Sequence, residues 1–191
     1  MNKRSGIESK RRILAAAIRI FSEYGYKGAS MRMIAKRAQI SVGGLYLYYR
    51  SKDELYLTLM KNRLDDLTGK TREALKNIED PAEALMTFLK LRLHYAREHR
   101  EIILALGRDP GFSFGIETKK KFFRQQRNII EEILKKGISS GQFRECDTRE
   151  VAKVIFSLVR GFIVSLVIEP DALFSPEDCG DLILGGLLKK R

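Results

Sequence analysis

The stretch SVGGLYLYYRSKDEL, residues 41–55, decides the fold of this chain of 191 residues. Read alone, its two glycines predict a turn, and the alternation of aliphatic and aromatic residues from Leu45 to Tyr49 has the period of a β-strand. No second strand follows, because RSKDELYLTLM has helical spacing. We therefore interpret the stretch as a helix, although each glycine disfavours it by about 1 kcal/mol. Glycines at such a place favour a close approach of the backbone to a phosphate or a base edge.

The residues before this stretch predict two further helices. Ser30 has the residue type of an N-cap ahead of MRMIAKRA, and QIS is short enough for a tight turn. Two short helices joined by such a turn describe a helix-turn-helix, with Leu45 and Tyr49 in its small core. A longer helix over residues 8–24 closes at Gly25. Its predicted apolar face consists of Ile13, Leu14, Ala17, Ile18, Phe21 and Tyr24.

Helical periodicity continues to the end of the chain. Ser51 and Asp80-Pro81 are helix-start signals, and Thr148 and Ser175-Pro176 are predicted to open the last two helices. The predicted helices span about 52–78, 81–98, 99–107, 116–139, 149–168 and 177–189. The expected fold is therefore all-α with about nine helices. Its predicted domains are residues 1–52, with the helix-turn-helix at about 30–49, and residues 53–191.

The net charge of +12 is concentrated at the N-terminus. Residues 1–52 contain twelve of the 36 Lys and Arg residues, but only two of the 24 Asp and Glu residues. Such a basic module suits a polyanion, and the phosphate backbone of double-stranded DNA is the leading candidate. The alternative is a charged face that is merely solvated.

Several classes of protein are disfavoured by composition. Hydrophobic residues at 44% and charged residues at 31% fit a globular chain rather than a disordered one. Cys146 and Cys179 form no CxxC motif, so we expect a reducing compartment and a cytoplasmic protein without a disulfide. The N-terminus has no signal-peptide pattern. The most apolar run, 151–168, carries Lys153 and Arg160, which favours a buried or dimer-forming helix over a membrane span.

An enzyme is also disfavoured. The two histidines, His94 and His99, are five residues apart and so lie on different faces of a helix. No Ser/His/Asp or Cys/His set is evident, and SVGGLY lacks the spacing of a phosphate-binding glycine loop. We therefore expect no catalysis, no cofactor and no metal.

The helix-turn-helix carries a family resemblance. GASMRMIAKRAQISVGGLYLYYRSKDELY, residues 28–56, resembles the DNA-binding motif of TetR-family transcriptional repressors, and RRILAAAIRIFSEYGYKG upstream extends the likeness. EILKKGISSGQFRE, residues 132–145, resembles the regulatory domain of that family more weakly. The resemblance implies an N-terminal DNA-binding domain followed by a ligand-binding and dimerisation domain.

The resemblance also implies roles in DNA binding. Ser30 caps the second helix and touches phosphate, Arg32 reaches a base edge or the backbone, and Lys52 contacts phosphate. The recognition helix enters the major groove with its first residues, which are Ser41, Val42, Gly43 and Gly44.

The tyrosines of the recognition helix divide between two roles. The resemblance assigns Tyr46 to a phosphate and places Tyr48 at the DNA surface. Partial packing against the first helix is the alternative for both. Tyr49 is predicted to belong to the core.

Three positions depart from the family pattern. Gln39 stands where the family usually has glycine, so a non-glycine is expected in a left-handed conformation at a cost of about 1–2 kcal/mol. Val42 and Gly44 replace the polar residues often used for base contacts. Direct readout is therefore expected to depend on Arg32, on backbone contacts and on DNA shape.

The resemblance implies an effector pocket enclosed by the fourth to seventh helices. Aromatic residues are frequent after residue 53, and core packing explains most of them, but they also favour an apolar ligand. The candidate lining residues are Phe88, Arg92, Tyr95, Phe122, Arg127, Phe156 and Arg160. Likeness to fatty-acid-responsive members suggests an acyl compound as one candidate effector.

Small residues on the penultimate helix predict a dimer. Ser157, Gly161 and Ser165 recur at every fourth position, which permits close helix approach, and internal packing is the alternative. The predicted interface of the homodimer consists of Ser157, Gly161, Ser165, Leu182, Ile183 and Gly186, with Gly185 and Leu187 beside them. Two recognition helices would then require a near-palindromic operator.

Two hypotheses from different classes remain beside the ligand-responsive repressor. The first is a DNA-binding regulator without a small-molecule ligand, controlled by a partner protein. The second is an enzyme, which the residues disfavour.

Overall fold

The computed structural model describes residues 3–100, 103, 115–169 and 175–188. Within these ranges the chain forms eight α-helices, and apart from one isolated bridge between Phe143 and Leu188 it contains no β-structure. The helices are α1 (Lys3–Gly28), α2 (Met31–Arg37), α3 (Val42–Tyr46), α4 (Lys52–Leu75), α5 (Pro81–Glu98), α6 (Ile116–Ser139), α7 (Thr148–Ile168) and α8 (Pro176–Leu187). The all-α prediction is confirmed. The predicted helix over 99–107 and the loop after it lie almost entirely outside the described residues.

Local capping signals explain most helix starts. The side chains of Ser51, Asp80 and Ser175 each accept a hydrogen bond from the backbone N–H three residues further on. The prediction that Thr148 opens α7 is confirmed, since the helix begins at this residue. Asp147 is the N-cap, and its carboxylate accepts from the two backbone N–H groups after Thr148. A carboxylate suits this place because it also stabilises the positive end of the helix dipole.

The described chain divides into two compact units. Residues 3–64, 103 and 115–118 form the first unit, and residues 65–100, 119–169 and 175–188 form the second. Helix α4 is continuous from Lys52 to Leu75 and therefore contributes its first half to one unit and its second half to the other. A domain boundary at residue 52 remains a prediction.

The core of the first unit joins α1 to α4. Phe21 of α1 meets the ring of Tyr56 edge-on at 5.3 Å, and Tyr26 meets the same ring at 5.0 Å. The predicted burial of Tyr24 is wrong, because 54% of this residue is exposed. Gly25 (φ 67°, ψ 176°) interrupts α1 in a conformation that is essentially restricted to glycine. The kink turns Tyr26, not Tyr24, toward the core.

The core of the second unit lies among α5, α6, α7 and α8. Phe88, Leu89, Ile130, Leu134 and Phe143 are fully buried there. Gly137 is required by this packing, since a Cβ at that position would lie 2.1 Å from the ring of Phe143. The turn after α6 is held to the end of α8 by a hydrogen bond from Arg144 N–H to the carbonyl of Leu187, at 2.9 Å.

Candidate nucleic-acid interface and effector region

Serine caps define the two helices of the helix-turn-helix. The Oγ of Ser30 accepts from Met33 N–H at 3.2 Å, and the Oγ of Ser41 accepts from Gly44 N–H at 2.9 Å. Both serines are exposed at helix N-termini, where the remaining free N–H groups and the helix dipole favour anions. Each can therefore serve as a cap within the chain while it faces a phosphate.

The turn between α2 and α3 is strained as predicted. Gln39 has φ 55°, and within the described residues it is the one non-glycine residue with a positive φ. The turn is closed by hydrogen bonds from Ala38 N–H to Ile34 O at 2.8 Å and from Ile40 N–H to Ala35 O at 3.1 Å. The turn therefore holds α3 against α2 at the expense of a left-handed glutamine.

The two glycines of α3 have different surroundings. A Cβ at Gly44 would lie 3.0 Å from Ser41 Oγ, so glycine there protects the N-cap. A Cβ at Gly43 would meet nothing within 4 Å. The fold therefore gives a reason for Gly44 only, while Gly43 leaves exposed backbone that another molecule can approach.

Side chains of the recognition segment alternate between the core and the surface. Tyr49 is buried as predicted, and burial, with a smaller contribution from Glu54, raises the pKa of its hydroxyl. Tyr46 is exposed, while Tyr48 is half-buried and packs against the core of the first unit. Leu47, which the pattern did not single out, is 80% exposed one helical turn after Gly43.

The arginines of α2 are held differently. Arg37 forms a salt bridge with Glu23 of α1 at 3.3 Å. Arg32 is exposed, and no salt bridge to it occurs within the described ranges. Its guanidinium is therefore available to an external acceptor.

The ammonium group of Lys52 is anchored within the first unit. Lys52 Nζ donates to the carbonyl oxygens of Tyr26 at 2.7 Å and Ala29 at 2.9 Å. It also lies 4.3 Å from the centre of the Tyr26 ring, within the range of a cation–π contact. Lys52 thus ties the start of α4 to the end of α1, and its contact with phosphate remains a prediction.

A small basic groove borders the strained turn. It has a volume of about 250 Å³, and its lining includes Arg12, Arg19, Arg37 and Gln39. Its arginines supply planar donors that match phosphate or carboxylate oxygens. The charge of these arginines is evident from the sequence, but the concave surface that α1 and α2 create together is not.

The predicted effector residues lie in the second unit, mostly in its interior. Phe88, Phe122 and Phe156 are buried, and Tyr95 and Arg127 are half-buried. In contrast, Arg160 is exposed and lies 4.4 Å from the centre of the Phe123 ring.

Arg92 is the unusual member of this set. It is 5% exposed, and burial lowers the pKa of its guanidinium to about 10, partly offset by Tyr95. Its Nε and Nη1 atoms are buried and have no hydrogen-bond partner in the described part of the chain, and its Cζ lies 4.9 Å from the centre of the Phe122 ring. Gln126 is fully buried; it donates from Nε2 to Thr68 Oγ1 at 3.0 Å and leaves Oε1 unpartnered.

The predicted interface residues are partly exposed and partly internal. Ser157, Gly161 and Gly186 are exposed, and Ser165 is half-exposed. Leu182 is 72% exposed, whereas Ile183 is 8% exposed and packs in the core of the second unit. The side chain of Ile183 therefore offers little surface to a partner, because its position on α8 faces inward.

The small-residue stripe of α7 lines an apolar groove. The groove has a volume of about 530 Å³. Its lining includes Val154, Ser157, Leu158, Gly161 and Ser165, which follow one another at intervals of one helical turn or less.

Two properties of the described ranges bear on other kinds of site. No three His, Cys, Asp or Glu side chains come together there as a metal ion would require. None of the helices within these ranges is long and apolar enough to cross a membrane.

Comparisons with known proteins identify the fold and the motif. Residues 13–59 match the family model described as bacterial regulatory proteins, tetR family. The HTH-type transcriptional repressor KstR2 of Mycobacterium tuberculosis is 31% identical over 153 residues, which cover 75% of this chain and 74% of the repressor. The fatty acid metabolism regulator protein of Bacillus subtilis is 26% identical over 152 residues, or 77% of each chain.

A solved structure extends the similarity to almost the whole chain. The transcriptional regulator FadR of Bacillus subtilis, in complex with stearoyl-CoA, superposes with a TM-score of 0.79. The match covers 92% of this chain and 98% of FadR at 22% identity, and it shows a common fold. The matched proteins are regulators of transcription and not enzymes.

Proposed function

Since this chain belongs to the tetR family of bacterial regulatory proteins and is a DNA-binding transcriptional regulator rather than an enzyme, we propose that it represses transcription from a near-palindromic operator. It binds this operator as a homodimer and leaves it when a small, mainly apolar effector binds the second unit. The observation that carries the proposal is the recognition segment. There, the Ser41 cap, the open backbone at Gly43 and the exposed Tyr46 form one surface of a basic module.

Direct base readout on this surface falls mainly to Arg32. Val42 is partly exposed and apolar, and Gly43 and Gly44 have no side chains with which to read a base. Arginine donates two hydrogen bonds to guanine in the major groove, and Arg32 has no competing salt bridge within the described residues. The serine caps, Tyr46 and Lys52 would contact phosphate and set the position on the duplex.

One of the regulators named above supports an acyl compound as effector. FadR of Bacillus subtilis binds stearoyl-CoA in its solved structure. The second unit of the present chain has an aromatic and aliphatic interior, which matches the apolar part of such a molecule. Effector binding would shift the second half of α4, and the continuous helix would carry this displacement to the recognition helices.

A homodimer is supported by an exposed apolar stripe. Val154, Leu158 and Ile168 on α7 and Leu182 on α8 are exposed, and they occur on the helices that carry exposed glycines. Exposed apolar stripes of this extent commonly mark protein interfaces. A two-fold axis through such an interface repeats the recognition helix, as a near-palindromic operator requires.

The proposed function can be tested on DNA selected by the protein itself. Rounds of selection from random duplexes should enrich a near-palindrome, and decanoyl-CoA or another acyl compound should release the protein from it. Enrichment of a single, asymmetric half-site would contradict the dimeric operator. Operator binding that no small molecule changes, but that a protein partner abolishes, would favour the alternative of a regulator without a small-molecule ligand.

The dimer is tested by Leu182→Glu. A charge at each copy of this exposed position should weaken dimerisation by about 100-fold or more, since roughly 2–3 kcal/mol of apolar burial per side is lost and a carboxylate is buried. Sedimentation velocity at micromolar concentration measures the mass. Ile7→Glu is the matched control, because Ile7 is 68% exposed on α1, away from the stripe. A wild-type protein that is monomeric at these concentrations would overturn the proposal.

A further inference from the structure

We propose that Arg92 binds an oxygen atom of the effector, so that the second unit recognises an acyl compound by its carboxylate or thioester oxygen as well as by its apolar chain. This inference rests on the proposed function, since it concerns the effector that the regulator would bind. It adds a polar contact and a residue that makes it.

The first argument is the unmet hydrogen-bonding capacity of Arg92. Its Nε and Nη1 atoms carry N–H donors that are buried and have no partner among the residues that the structure describes. Buried donors of a charged group are almost always paired, because leaving them unpaired is costly. The described part of the chain offers these donors no acceptor, and an oxygen of the effector would supply one.

The second argument is charge. Within the described ranges no carboxylate forms a salt bridge with Arg92, and Tyr95, the residue that favours its charged form, is an ordinarily neutral phenol. A pKa near 10 keeps the guanidinium charged at neutral pH. An oxygen with negative charge or strong dipole compensates such a buried cation better than a neutral hydroxyl does.

The third argument is the environment of the guanidinium. Phe88 and Leu89, one turn earlier on α5, are fully buried, and Phe122 lies beneath Arg92. Gln126, one turn after Phe122 on α6, adds a second unpartnered polar atom in the same interior. Two polar side chains with unsatisfied hydrogen-bonding atoms in an apolar interior match a ligand with a polar head and an apolar chain.

The test compares three probes with the same ten-carbon chain: decanoate, decanoyl-CoA and decanol. Full-length wild-type protein should bind decanoate or decanoyl-CoA more tightly than decanol in calorimetric titrations, and the tighter of the two identifies the source of the oxygen. Arg92→Met should weaken that binding by about 10- to 100-fold and leave decanol unchanged. Arg92→Lys should retain part of the affinity, because it keeps the charge.

Arg160→Met is the matched control. Arg160 also lies over a phenylalanine ring, but it is exposed and can be solvated, so this change should leave the affinity for all three probes unaltered. Thermal unfolding without ligand supplies a second readout. Arg92→Met should melt at the same or a higher temperature, because it removes an uncompensated buried charge.

Two results would overturn the proposal: unaltered binding of decanoate and decanoyl-CoA by Arg92→Met, or no binding of either by the wild type. Operator release measured in parallel separates the two claims. Equal release of wild type and Arg92→Met by an acyl compound would remove this inference and leave the proposed function standing.

Discussion

Lys52 in the first unit and Arg92 in the second are both drawn into the protein, but their charges are compensated differently. Lys52 Nζ donates to two backbone carbonyls and lies over Tyr26. Arg92 also lies over an aromatic ring, yet its Nε and Nη1 atoms have no partner among the described residues. The comparison teaches that an aromatic ring alone does not show what a buried cation does. The role of such a cation follows from its N–H donors. Donors that are hydrogen-bonded within the protein stabilise the fold, whereas donors without an acceptor are available to a ligand.

The two units also differ in the kind of unfavourable feature that each contains. In the first unit the unfavourable feature is a backbone conformation, at Gln39, next to a recognition helix that must be held in place. In the second unit it is a buried charge at Arg92, where we propose that a ligand binds. The backbone strain at Gln39 persists because the surrounding packing compensates for it, whereas the charge of Arg92 awaits an external partner.

The largest expected effect comes from removing the ammonium group of Lys52, which is hydrogen-bonded within the first unit. Lys52→Met should destabilise the protein by about 2–3 kcal/mol, since it removes two charge-assisted hydrogen bonds and a cation–π contact. Urea unfolding of the full chain measures the loss. Lys70→Met is the control, because Lys70 forms only an exposed i,i+4 pair with Asp66 at 2.9 Å and should change stability by about 0.5 kcal/mol or less. Equal effects of the two changes would refute the anchoring role of Lys52.

A second prediction extends the comparison to an exposed cation. Arg32→Ala should weaken operator binding by about 1–3 kcal/mol and leave binding to scrambled DNA nearly unaltered, because a base contact acts on one sequence. Lys52→Met should weaken binding to both duplexes alike. Arg37→Ala is the control for Arg32, because Arg37 lies on the same helix, α2, but is paired with Glu23 of α1. Fluorescence anisotropy measures the affinity for both duplexes. An equal loss of affinity for the two duplexes by Arg32→Ala would exclude Arg32 as a residue that contacts a base.

The smallest predicted effect concerns the left-handed backbone of Gln39. Gln39→Gly should stabilise the protein by about 0.5–1 kcal/mol, since glycine adopts a positive φ without the steric cost that glutamine bears, less the entropy that glycine loses on folding. The matched change Gln125→Gly, in the middle of α6, should destabilise by about 1 kcal/mol. Thermal unfolding measures both. Destabilisation by Gln39→Gly would show that the glutamine side chain makes a compensating contact.

Much of the candidate site could be predicted because its signals are local. Ser30 and Ser51 cap helices through hydrogen bonds that span three residues, so a short stretch of sequence contains both partners. The left-handed conformation of Gln39 was predicted from the family resemblance, because the family usually has glycine at this place in the turn. The basic groove and the anchoring of Lys52 were not, since their partners lie on separate helices.

The sequence by itself determined an all-α chain, a helix-turn-helix near its N-terminus and the positions of most helix starts, because periodicity and capping act over one or two turns. Only the tertiary structure decided which of Tyr24 and Tyr26 enters the core, that Ile183 faces inward, and that Arg92 is buried without a full set of partners. These outcomes depend on which helix packs against which, and a contact between helices has no counterpart in the pattern of either one.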